Sequence, residues 1–207
     1  MRAPKGVSLR QVEQTLRDNA LWVLKQMDKL AARGLPLPAR QFTDSEILPY
    51  LGSNINLQIA PGFGHKSFLR QRDDHLVMQV PFELEGQERR TIILNTLVNW
   101  YRGQARKQLA PRLQHFCRQL AAPMPSFKIS NARSRWGSCD SRGQIQLSWR
   151  LMLLPVELSD YVLAHEACHL HHMDHSANFW KLLDSIMPQA QELRARLDKE
   201  GPLYKLD

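Results

Sequence analysis

Cysteine is scarce in this 207-residue chain, with three in all. Cys117, Cys139 and Cys168 are widely separated and form no CxxC pair, which argues against a disulfide framework and fits a reducing, cytoplasmic compartment. No apolar run reaches the length needed to cross a bilayer, so neither a transmembrane helix nor a membrane partner is expected. Residues 1–28 carry charges throughout and lack the apolar stretch of a signal peptide. The phosphate-loop pattern GxxxxGK[ST] is missing, and Pro61-Gly62-Phe63-Gly64 reads as a turn. There is no internal repeat and no low-complexity segment.

Acidic residues are also in the minority: 28 Lys and Arg against 20 Asp and Glu give a net charge of +8. The basic residues are dispersed, with the densest group at Arg102, Arg106, Lys107, Arg112 and Arg118. A solvated basic surface accounts for this; an anionic partner, nucleic acid or a ribonucleoprotein, is the alternative that charge allows. Hydrophobic content of 43% and charged content of 23% describe an ordinary soluble globular protein, long enough for a single domain over 1–207.

The periodicity changes along the chain. Ser8 and Gln11 have capping-box spacing, and Val12, Leu16, Val23, Met27 and Leu30 follow in helical register, predicting an N-terminal helical extension over 1–40. Gly34, Pro36 and Pro38 end it. Residues 41–96 read as mainly β, with alternating runs at 54–59 and 75–80. Helical register is visible from about residue 91 to 120. Its apolar face, Leu97, Tyr101, Ala105, Leu109, Leu113 and Phe116, defines a helical segment at 97–122 that Pro111 should kink or split. Residues 123–154 read as a β-hairpin, with strands at 127–131 and 144–149. Helices follow over 155–207, the first opened by Pro155 and the last running from about 189 to 200.

Within that last segment stands His165-Glu166-Ala167-Cys168-His169, an HExxH sequence. Residues four apart share a helix face, so both imidazoles can reach one metal ion, with the glutamate beside the water that such an ion would hold. The flanks, Tyr161-Val162-Leu163-Ala164 before and Ala167, Cys168 and Leu170 within and after, are apolar on nearly all sides, as in a buried helix. Two imidazoles and a carboxylate buried without partners would cost several kcal/mol. A bound metal compensates them better than the plainer alternative, a pair of hydrogen-bonded core histidines.

Tetrahedral catalytic zinc takes three protein ligands and a water. His172 shares the helical face of His165 and His169, but a continuing helix would spread the three over about 10 Å. His171 and Cys168 point elsewhere. His175 follows His169 by six residues, far enough for the chain to leave the helix and bring an imidazole back, and it is the expected third ligand. Ser176 can then cap a new helix whose stripe, Phe179, Trp180, Leu183, Ile186 and Met187, is core, with Pro188 ending it.

More than the HExxH is familiar. Asn99-Trp100-Tyr101-Arg102, Ser134-Arg135-Trp136-Gly137-Ser138-Cys139, residues 145–151, residues 161–170 and Asp174-His175-Ser176-Ala177-Asn178-Phe179-Trp180 occur in this order. Together they closely resemble the YgjP-like metallopeptidases, relatives of the Wss1-like and SprT-like zincin proteases. The resemblance is strong from about residue 97 to 188. It implies an α+β, zincin-like metalloprotease fold: a small mixed or antiparallel sheet packed on helices around a central HExxH active-site helix. It also implies one zinc ion held by the residues matching His165, His169 and His175, with Glu166 as general base, and a polypeptide substrate. Two departures are visible: Cys168 replaces a usual alanine and Ser148 a usual asparagine.

The function expected is therefore a zinc endopeptidase in which Glu166 takes a proton from a zinc-activated water. By resemblance, one of the strands flanking residues 133–142 should pair with extended substrate. Arg133, Arg135 and Trp136 either touch substrate or its oxyanion, or pin their loop to the core. Two alternatives stand beside this. Cys139 as a zinc ligand would make a deformylase-type amide hydrolase. A basic nucleic-acid-associated protein would either use zinc structurally or cleave proteins bound to DNA or RNA.

Overall fold

Alternation in residues 54–59 and 75–80 puts one apolar set of side chains on one face, and those strands pair. The computed structural model describes residues 40–63 and 66–206, all within one unit spanning 39–207. The expected helical extension over 1–40 lies almost wholly outside the described residues.

Strands β1 (Glu46–Tyr50), β2 (Ser53–Gly62), β3 (Phe68–Arg72) and β4 (His75–Pro81) form a mixed sheet in the order β1-β2-β4-β3. β2 and β4 run parallel, with Leu57 beside Leu76; the outer pairs are antiparallel. Leu48, Ile55, Leu57, Leu76, Met78 and Val80 point inward and are buried. The β1–β2 turn uses Leu51 (φ 47°) and Gly52 (φ 79°), the two positive φ values a tight hairpin requires. A Cβ on Gly52 would stand 3.4 Å from Pro155 Cα, so this turn rests on the start of the HExxH helix. Leu51 N–H also donates to Met152 O at 2.8 Å.

Helix α1 (Gly86–Gln119) starts ahead of the expected boundary at 97, because its first turns, Gln87-Glu88-Arg89-Arg90, carry no apolar face to reveal them. It runs through Pro111 as one element. Leu109 and Leu113, both fully buried, hold the helix on either side of the proline, and burying two leucines offsets the roughly 3 kcal/mol that an internal proline costs. On the same face, Tyr101 stacks on Trp149 with centroids 5.6 Å apart, and its hydroxyl donates to Pro49 O at 2.7 Å.

The expected hairpin over 123–154 is corrected. Strands β5 (Phe127–Ser130) and β7 (Ile145–Ser148) are parallel neighbours, and a third strand, β6 (Gly137–Cys139), pairs antiparallel with β7 on its other side. The hairpin is β6–β7. Asp140 Oδ1 closes it by accepting from Arg142 N–H and Gln144 N–H, each at 2.9 Å, and Gly143 supplies φ 73°. Gly-Ser-Cys offers neither alternation nor strand propensity, so β6 is silent in the sequence.

A buried 3₁₀ turn (Trp149–Leu153) leads into α2 (Val156–Cys168), followed by α3 (Ala177–Ile186), α4 (Ala190–Glu200) and a last 3₁₀ turn (Gly201–Leu203). Arg112 of α1 donates to both oxygens of Asp160 in α2 at 2.6 and 2.8 Å, tying the long helix to the HExxH helix. None of the described helices is long and apolar enough to cross a membrane.

Candidate metal centre

Helix α2 is buried along Leu158, Ser159, Tyr161, Val162, Leu163, Ala164, Ala167 and Cys168, so it presents polar groups only where something meets them. It ends at Cys168, and His169 follows as its C-cap in the αR region (φ −65°, ψ −15°). His169 thus keeps the one-turn spacing from His165 while the chain beyond it departs. His171 N–H and His172 N–H both donate to Cys168 O, which folds the chain back. His172 O then faces His169 Nδ1 at 2.9 Å. His171 Nε2 donates to Leu120 O at 3.0 Å, fastening the turn to the end of α1.

The turn returns His175 to the helix. His165 Nε2 stands 3.2 Å from His169 Nε2 and 3.0 Å from His175 Nε2. Among the described residues, His165, His169 and His175 form the group able to share a metal ion, with ligand atoms within 4.8 Å of one another. Neither His171, His172, Cys168 nor Cys139 belongs to it. Phe179, fully buried, touches all three rings at centroid distances of 4.7 to 4.9 Å and forms the floor of the site.

Burial holds His165 and His169 in the neutral form that a metal ligand requires. Burial first, then His169 and His175, hold His165 down to about pKa 3. His169 is also lowered, chiefly by burial. Neutral imidazoles that converge on one another place nitrogen lone pairs face to face, and a single shared proton relieves only one contact. His165 Nδ1 and Glu166 Oε2 are buried with no hydrogen-bond partner among the described residues. The convergent donor set of three ring nitrogens is what a zinc ion would satisfy, so the residues present fit one.

Glu166 is 5% exposed, and burial pushes its carboxyl up to about pKa 7. A carboxyl poised near neutrality exchanges protons readily at physiological pH. Cys139 lies near enough for Glu166 to raise its thiol further, after burial, to about 11; its Sγ faces Asp140 O at 3.6 Å. Cys139 is thus a neutral thiol beside the carboxylate, outside the histidine group.

Arg133 and Arg135 are exposed on the loop leading into β6, whereas the Trp136 ring turns inward, against Gly201. The loop itself is held from β7 and the turn after it. Ser148 Oγ donates to Ala132 O at 2.9 Å, and Arg150 Nη1 reaches Asn131 Oδ1 at 3.0 Å and Ala132 O at 3.3 Å. Trp149 Nε1 also donates to Asn131 Oδ1, at 2.7 Å. The Ser148 hydroxyl therefore has work of its own here. Arg194 of α4 is a residue that sequence reasoning missed: its guanidinium lies 4.9 Å over the Trp180 ring, and Trp180 stacks on His175 at 5.8 Å. It is a lone arginine on an exposed helix face, and only the fold brings it here.

The family model described as YgjP-like, metallopeptidase domain matches residues 1–200. No functionally curated protein matches the chain. Among solved structures, the metallopeptidase zymogen of Pyrococcus abyssi abylysin is similar at 26% identity, over 42% of this chain and 89% of that one, with a TM-score of 0.39. The α+β architecture and the three-histidine group accord with the family match, and the chain belongs to the YgjP-like metallopeptidase domain family.

Proposed function

We propose that this metallopeptidase is a zinc-dependent endopeptidase of zincin type, with His165, His169 and His175 as ligands and Glu166 as general base. The observation that carries the reading is the convergence of three imidazole nitrogens, with the residue after the first of them a buried glutamate whose Oε2 has no hydrogen-bond partner among the described residues. Zinc, when bound, supplies a Lewis acid that lowers the pKa of water and polarises a carbonyl. Glu166 accepts the proton of the attacking water and delivers it to the leaving amine.

Substrate orientation falls to β6. In the β5-β7-β6 sheet β7 is central, so pairing is left to an edge, and β6 is the edge that packs on α2. Trp136 O accepts from Ser148 N–H and Asp140 N–H donates to Gln144 O, so by antiparallel alternation Gly137 and Cys139 aim their backbone groups away from β7. An extended peptide would add there as a further strand. This edge lies within residues 133–142, where the sequence reading looked to the strands flanking them. Arg133 and Arg135 lie just ahead of it, and their nearness to this edge supports a role in meeting substrate; the packing of Trp136 against Gly201 supports a role in anchoring the loop. The deformylase-type alternative loses its ligand, since Cys139 stands outside the histidine group. The anionic-partner expectation rests on charge alone and does not enter this reading.

The test is Glu166→Gln. The variant should fold and bind zinc as the wild type does, while cleavage of an unfolded polypeptide falls by about 10²–10⁴-fold. Full activity in a zinc-loaded variant would sink the mechanism.

A further inference from the structure

We propose that Gly137 is a positioning residue for Glu166: the bare Cα of edge strand β6 makes the space that the carboxylate occupies. The proposal rests on the reading of Glu166 as general base. A Cβ built on Gly137 would stand 2.5 Å from Glu166 Oε1, 2.7 Å from its Cγ and 2.8 Å from its Cδ. Among the described glycines only this one would bring a Cβ below 3.0 Å of any neighbour.

The reason for glycine here is space, not backbone freedom. Among the described glycines those with positive φ are Gly52, Gly86 and Gly143, so Gly137 has a conformation open to other residues. The conflict also reaches past the tip of the glutamate. Cγ and Cδ are both inside contact distance, so rotating the carboxylate about its last torsion leaves those two contacts unrelieved, and the side chain must change rotamer.

Neither wall can retreat. On one side β6 lies in antiparallel register with β7, Gly137, Ser138 and Cys139 opposite Leu147, Gln146 and Ile145, and Asp140 N–H donates to Gln144 O beyond its end. Just before it, Trp136 O accepts from Ser148 N–H at 2.8 Å while the Trp136 ring lies against Gly201. On the other side α2 is packed into the core on nearly every face. Glu166 Oε2 has no hydrogen-bond partner among the described residues, and packing against β6 sets where the carboxylate sits. Restoring a contact of about 3.4 Å from 2.5 Å moves the carboxylate by about 1 Å, a displacement of the size that costs about 100-fold in rate.

Two measurements test this on the full chain. In the first, Gly137→Ala should keep its zinc content while kcat on a peptide falls about 100-fold and KM stays within about threefold. In the second, thermal unfolding of the metal-free protein is compared across wild type, Gly137→Ala, Glu166→Ala and the double variant. Alanine at 137 should lower Tm by about 5 °C when Glu166 is present and by about 1 °C or less when it is absent. Should Gly137→Ala fail to fold, adding Glu166→Ala should restore folding. Equal Tm losses in both backgrounds, no rescue, or undiminished kcat would each overturn the proposal. Its failure is separable from that of the general-base reading. A fully active Glu166→Gln refutes the base but leaves the Tm coupling standing, whereas an inactive Glu166→Gln with additive Tm losses refutes the positioning alone.

Discussion

His169 Nδ1 lies 2.9 Å from the carbonyl oxygen of His172, and because a carbonyl only accepts, the ring nitrogen must be the donor. That fixes the tautomer: Nδ1 carries the proton and Nε2 turns its lone pair toward His165 Nε2, 3.2 Å away. The acceptor is supplied by the same turn that ends helix α2 and brings back His175, so one backbone feature orients the second proposed ligand and delivers the third.

The first prediction separates His175 from its neighbours. His175→Ala should weaken zinc binding by at least about 100-fold, measured by competition with a chromophoric chelator. His172→Ala should change it by no more than about threefold, because the carbonyl and not the imidazole of that residue does the orienting. Cys139→Ala should bind zinc normally. Loss of zinc from Cys139→Ala with retention in His175→Ala would reverse the ligand assignment.

The thiol of Cys139 gives a pH-dependent signature. Burial, then the charges of Glu166 and Asp140, push it up to about 11. A raised thiol pKa means less thiolate at a given pH, so alkylation in the metal-free protein at pH 8 should be about 100-fold slower than for an ordinary cysteine. The rate should rise about tenfold per pH unit up to pH 10. Glu166→Gln removes one of the opposing charges and should speed the reaction. Rapid labelling of Cys139 at pH 7, read by peptide mass spectrometry, would contradict the environment described.

Ser148 should prove structural. Its hydroxyl donates to Ala132 O and accepts from Arg150 N–H at 3.3 Å, at a position 1% exposed. Ser148→Ala removes both bonds, but Arg150 Nη1 still reaches Ala132 O, so the cost should sit near the low end, about 1 kcal/mol by urea unfolding. Activity should fall modestly through the 131–136 loop, with zinc binding intact. No change in stability would show that the hydroxyl is dispensable.

How much of this was legible in advance depends on whether the signal is local. Helical periodicity exposed the inner face of α1 from Leu97 to Phe116 but not its polar first turns, which have no apolar stripe to betray them. Alternation revealed the cores of β2 and β4 and missed β1 and β3, whose residues are mostly exposed or half-exposed. A three-residue strand of Gly, Ser and Cys has no pattern at all, and with β6 hidden, the parallel β5–β7 pair passed for a hairpin.

The grouping of the three histidines was written locally, and the sequence by itself determined it. Two histidines four apart, a glutamate between them and a third histidine beyond a turn are matters of helical pitch and chain reach. What only the tertiary structure decided is what surrounds that motif: Phe179 beneath the rings, Arg194 stacked above Trp180, and Gly137 against Glu166. Those neighbours come from distant parts of the chain, and which side chain must be absent so that another can fit is a property of packed volume, for which one-dimensional spacing carries no sign.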